Sequence, residues 1–188
     1  MAEPPFRTAS LAATAWRAGE LLADVARRLE MAGAEGLVLC TNTMHKVAAA
    51  IEAAVAIPLL HIADPTAEAI KQSGISKVGL LGTRFTMEQD FYRSRIVEQH
   101  GLEVLVPETE DRSTVHRIIY DELCLGHIEA GSRTAYIEVI ERLADKGAQA
   151  IILGCTEISL LVEPQHVTIP LFDTTQLHAE YAADWMLG

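Results

Sequence analysis

Apolar positions along the chain follow two rhythms. Leu21, Leu22, Val25, Ala26 and Leu29 recur at three-to-four-residue spacing and predict a helix over 16–32, stopped by Gly33. Short unbroken apolar runs mark buried strands instead, at Leu37–Cys40, Ile57–Ile62, Lys77–Leu81, Glu103–Val106, Ile151–Leu153 and Thr168–Phe172. Helical spacing returns between them: Met44–Ala56 behind the capping residues Thr41-Asn42-Thr43, Thr66–Ser73, a run after Thr86 to about Glu98, and one from Ser113 or Thr114 to Cys124. It continues in Ser132–Asp145, the apolar stretch Ile158–Val162, and Thr175–Met186. The acidic stretch 108–113 reads as a loop, and residues 1–15 show no clear period. Strands alternate with helices throughout, which predicts an α/β chain with parallel sheets.

One stretch is written twice. Val25–Leu39 lies over Val139–Leu153 without a gap. Two copies are too few for a solenoid, so the repeat predicts two similar halves. The register sets Cys40 opposite Gly154 and Thr41 opposite Cys155. Open α/β sheets bind ligands beyond the carboxyl ends of their strands, where Cys155 falls. Successive strand residues point to opposite sides, so a cleft-facing Cys155 has Thr41 as its counterpart rather than Cys40. The second half also carries a strand, Lys77–Leu81, and a loop, Gly82-Thr83-Arg84-Phe85-Thr86, ahead of its cysteine strand. The same register places a first-half counterpart before Met1, so the first half is expected to be short of an opening strand.

Composition narrows the function classes. The 188 residues are 49% hydrophobic, enough for a real core in one or two domains. No apolar run reaches the ~18 residues of a membrane span, and the N-terminus shows no secretion leader. Three cysteines at irregular spacing argue against a disulfide framework and for a reducing cytoplasm. A formal charge of −11 disfavours nucleic acid and anionic membranes as partners. The histidines and cysteines lack metal-ligand spacing, and the glycines match no nucleotide-binding loop.

Three motifs, Leu39-Cys40-Thr41-Asn42-Thr43-Met44-His45, Leu81-Gly82-Thr83-Arg84-Phe85-Thr86 and Gly154-Cys155-Thr156-Glu157, stand in one order. Together they resemble the cofactor-independent aspartate/glutamate racemase family, most of all its broad-specificity amino-acid racemases. The resemblance runs from Trp16 to the C-terminus. It implies two pseudo-symmetric α/β domains, usually in a homodimer, with one acid/base residue from each flanking the substrate Cα. Mapped on this chain, the first domain is 1–66 plus 174–188, short of its opening strand and Gly-rich loop, and the second is 67–173. Most of the family carries Cys-Asn-Thr in the first half, whereas here Thr41 precedes Asn42-Thr43.

Racemisation takes the Cα proton from one face and returns a proton to the other. A thiol suits this work when a helix N-terminus or cations lower its pKa, and Cys155 ahead of a helix near Glu157 has that placement. The expected pair is therefore Cys155 with Thr41, and Cys40 is the runner-up thiol. Asn42, Thr43, Thr83, Thr86 and Thr156 are candidates to hold the substrate, and Glu157 to orient the thiol. No cofactor or metal is called for, and the partner is a small amino acid. Thr41 also reads as a helix N-cap, and Thr83 and Thr86 as caps of the next helix. Cys124, in the apolar run Ile118, Ile119, Leu123, Leu125, reads as core, and His45 as a packing histidine. The alternatives are a hydantoin racemase, a maleate-type isomerase using its cysteine as nucleophile, or a non-catalytic protein that keeps the cleft for binding.

Overall fold

The computed structural model describes residues 5–188, with side chains from Trp16 onward. Helix α1 (Pro5–Met31) opens the chain, so the predicted 16–32 helix starts earlier than its periodicity suggests. Strand β1 (Leu37–Val38), a 3₁₀ turn (Thr43–Val47), α2 (Ala48–Glu52) and β2 (Leu59–Leu60) follow. Then come α3 (Ala63–Gln72), β3 (Lys77–Gly82), α4 (Arg84–Glu88), α5 (Asp90–Ser94), a π turn (Arg95–Gln99) and β4 (Glu103–Leu105). Helices α6 (Thr109–Asp121) and α7 (Ala130–Asp145), strands β5 (Ala150–Gly154) and β6 (Leu171–Asp173) and helix α8 (Thr174–Leu187) complete it. The α/β class with parallel pairing is what the alternation predicted.

The chain divides into two units. The smaller runs through Leu39 and resumes over Met44–His61; the larger takes Cys40–Thr43 and Ile62–Gly188. In the smaller unit β1 pairs β2 in parallel, Leu37 opposite Leu59, over a small core of Ala26, Leu37 and Ile51. The C-terminal helix, assigned above to the first domain, packs in the larger unit on α3, β5 and β6.

The larger unit is one four-stranded parallel sheet in the order β4-β3-β5-β6. After β3 the chain moves outward to β4, then returns to lay β5 on the other side of β3. That reversal makes the carboxyl ends of β3 and β5 the switch point where such sheets bind ligands. Alternation along β5 explains its two cores. Ile151 and Leu153 face Val115, Ile118, Tyr136 and Leu143 of α6 and α7; Ala150 and Ile152 face Ile70, Tyr92 and Ile96 on the other side. Gly82 and Gly154 stand opposite each other at the strand ends. A Cβ on Gly82 would lie 2.9 Å from the Gly154 carbonyl, and one on Gly154 would lie 2.8 Å from the Leu81 carbonyl. Only glycine lets the two strands deliver their loops this close together.

Several local expectations change. The stretch 108–113 is the start of α6 rather than a loop, because Glu110 and Asp111 lie in its first turn, where the helix dipole favours acids. Helix α3 begins at Ala63, three residues early, with Pro65 in the first turn where a missing N–H costs nothing. The helix predicted to run to Glu98 breaks at Gln89, whose backbone is extended (φ −89°, ψ 147°). Cys124 is exposed on a 3₁₀ turn (Leu123–Leu125), not core.

Candidate active site

Two loops meet at the switch point. Beyond β3, Thr83 caps α4, its Oγ1 accepting from the Thr86 amide at 3.4 Å and lying 3.2 Å from the Thr86 hydroxyl. The Thr43 hydroxyl lies 3.2 Å from the other side of Thr83 Oγ1. Three hydroxyls from two motifs thus form one polar chain, with Thr83 and Thr86 buried.

Asn42 is tied to the β5 side. Its Nδ2 donates to Thr174 Oγ1 at 3.0 Å, and the Thr174 hydroxyl donates to the Leu153 carbonyl at 2.9 Å. Thr174 is fully buried and opens α8, one residue before the sequence-predicted start at Thr175. Asn42 Oδ1 is also buried and accepts no hydrogen bond. An orphaned buried acceptor is costly unless something supplies a donor, and a substrate ammonium is such a donor. Thr41, half-buried, leads into these two anchored residues, and Cys40 before it is exposed.

Beyond β5, Cys155 is half-buried against the α6–α7 core. Its Sγ–H donates to Glu157 Oε2 at 2.9 Å. Burial pushes the thiol well above its ordinary range, and the hydrogen bond and negative charge of Glu157 push it further. Burial also raises the Glu157 carboxyl, but hydrogen bonds from Cys155, Thr156 and its own backbone outweigh it and hold the group below its usual value. In the free protein the proton therefore sits on sulfur and the charge on the carboxylate. This differs from the lowered thiol expected above. The helix predicted after Glu157 is only a 3₁₀ turn, Ile158–Leu160, too short for a useful dipole. His45 is buried as a packing histidine, its ring 4.2 Å from that of His61.

Residues 2–182 match the family model described as Asp/Glu/hydantoin racemase. A candidate Asp/Glu racemase from Yersinia pestis has a similar structure, with TM-score 0.90 and 56% identity over 97% of this chain and 79% of that one. An aspartate racemase homologue from Pyrococcus horikoshii OT3 is 33% identical, with TM-score 0.81, over 90% of this chain and 74% of that one. Broad specificity amino-acid racemase RacX of Bacillus subtilis (strain 168) is 27% identical over 81% of this chain and 65% of its own length. With its parallel sheets, its paired glycine loops and a family match along nearly the whole chain, this protein belongs to the Asp/Glu/hydantoin racemase family of isomerases.

Proposed function

We propose that the chain racemises an acidic amino acid, aspartate or glutamate, without a cofactor, with Cys155 on one face of Cα and Thr41 on the other. The observation that carries this reading is the Cys155–Glu157 hydrogen bond at the switch point, 2.9 Å long. Glu157 is the ionised carboxylate that orients the thiol, and the thiol proton leaves to solvent when substrate binds. Substrate binding brings an ammonium group, which favours the thiolate over the protonated sulfur. The thiolate removes the Cα proton and becomes the thiol again. The Thr41 hydroxyl returns a proton to the opposite face and is itself reprotonated through solvent. The carbanion is stabilised through the substrate carboxylate by the hydroxyls of Thr43, Thr83, Thr86 and Thr156. Asn42 Oδ1 accepts from the ammonium. Thr41 is a far weaker acid than a thiol, so the two enantiomers are handled at different speeds, while their equilibrium is unchanged. The working form is a homodimer, as the family resemblance implies, and the irregular cysteine spacing favours the cytoplasm.

The test is Cα–H exchange of L- and D-aspartate and glutamate in D₂O, with and without Cys155→Ala. Exchange that depends on Cys155 and differs between enantiomers supports the reading. Equal washout from both enantiomers removes the role of Thr41. A trapped covalent adduct on Cys155 makes it a nucleophile, as a maleate-type isomerase requires. Ligand-dependent stabilisation without any exchange makes the protein a binder.

A further inference from the structure

We propose that Arg84, seated by His116, is the residue that selects a carboxylate side chain on the substrate. The proposal rests on the racemase reading and assigns its substrate class to one residue. Arg84 directly follows Thr83, the centre of the hydroxyl chain with Thr43 and Thr86. Its main chain is fixed twice. Thr83 caps the turn, and the Arg84 amide donates to His116 Nδ1 at 3.1 Å. The His116 ring leans on Tyr120, with centroids 4.7 Å apart, and stands edge-on to Phe85 at 6.3 Å. An Nδ1 that accepts this bond leaves the neutral imidazole with its proton on Nε2. Burial, and then the Arg84 charge, hold His116 below its ordinary pKa, which keeps that neutral form.

The guanidinium itself is uncommitted. The other arginines of the larger unit each hold an acceptor: Arg93 holds Asp90, Arg95 Asp64, Arg112 Glu88, Arg117 Glu122, Arg142 Asp111, and Arg133 the Leu161 carbonyl. Arg84 is exposed and has no ion pair among the described residues. In a chain of formal charge −11, acidic partners are abundant, so an exposed arginine left without an ion pair, one residue after Thr83, is available for an outside anion. The hydroxyls and Asn42 are occupied by the groups on Cα. The planar fork of Arg84 then takes the carboxylate at the far end of the side chain.

Binding tests this without requiring turnover. Calorimetric titrations of L-aspartate and of its neutral isostere L-asparagine are compared in wild type, Arg84→Gln, Arg84→Lys and Arg93→Gln, the last a control for the overall field. In Arg84→Gln the Kd for aspartate should rise roughly 10–100-fold while that for asparagine stays put. Arg84→Lys should fall between, because charge survives without the fork. Arg93→Gln should match wild type. The proposal is overturned if wild type does not prefer aspartate, or if Arg84→Gln weakens both ligands alike. Aspartate binding through Arg84 without any Cα–H exchange would leave this proposal standing and remove the racemase reading.

Discussion

The two copies of the repeat share their local structure and differ in what surrounds it. Each helix ends on a left-handed glycine, Gly33 (φ 94°) and Gly147 (φ 93°). Each turn closes with the same bond, Ala34 amide to Leu29 carbonyl and Ala148 amide to Leu143 carbonyl, both 3.0 Å. Each following strand donates near its start to the carbonyl of a proline, Leu37 to Pro58 at 2.8 Å and Ile151, the second residue of β5, to Pro170 at 2.9 Å. Burial then parts them. Val25 and Leu29 are 42% and 47% exposed, whereas Val139 and Leu143 are each 1% exposed. In the larger unit, Leu143 lies over β3, 3.0 Å from where a Gly79 Cβ would stand, and β5 is sandwiched between β3 and β6. The lesson is that caps and turns are encoded within a dozen residues, while burial is set by elements far away in sequence.

The chemistry at the strand ends offers the sharpest way to break the comparison. Cys155→Ala should cut exchange by roughly 10²–10⁴-fold from both enantiomers, measured in D₂O. Thr41→Ala should cost less and act unequally on the two, and Thr41→Cys should bring their velocities closer together. The scaffold comes next. Leu143→Ala should lose about 2–5 kcal/mol of unfolding free energy in denaturant titration, and Leu29→Ala less than about 1 kcal/mol, because only Leu143 leaves a cavity. Gly154→Ala should destabilise by about 1–3 kcal/mol, since its Cβ meets a backbone carbonyl, while Cys40→Gly at the matching position should change stability by under about 1 kcal/mol. The smallest effect is one of pH. Raising pH from about 6 to about 9 should speed abstraction by Cys155, whose raised thiol loses its proton more readily. The Thr41 hydroxyl is not itself a titrating group in that range, so its side should stay flatter and the velocity ratio of the enantiomers should drift with pH.

Much of this was legible before any coordinates. The repeat register aligned Leu37 with Ile151, and the structure gives both strands the same kind of parallel partner. The three motifs pointed to residues that do come together: Thr43 with Thr83, and Asn42 with the end of β5 through Thr174. Thr174 itself was hidden, because a threonine at a helix start looks like any cap. The break at Gln89 was hidden too, as no glycine or proline marks it. Cys155 lies just past the end of β5, where the strand reading put it, but its protonation was hidden, since that depends on burial and on how close Glu157 comes. No periodicity in a sequence encodes either. Arg84 was in view within a quoted motif, yet its significance emerges only once every neighbouring arginine is seen to be taken.

The matched glycine turns hold a further consequence. The Ala34 and Ala148 amides make bonds of the same length to the same kind of acceptor after the same kind of helix. Any difference in how slowly these two protons trade with solvent deuterium owes nothing to the bond and everything to the frequency with which each neighbourhood opens. One molecule thus carries its own calibrated pair of reporters for local breathing, with the slower clock expected at Ala148, where the surroundings are the more buried.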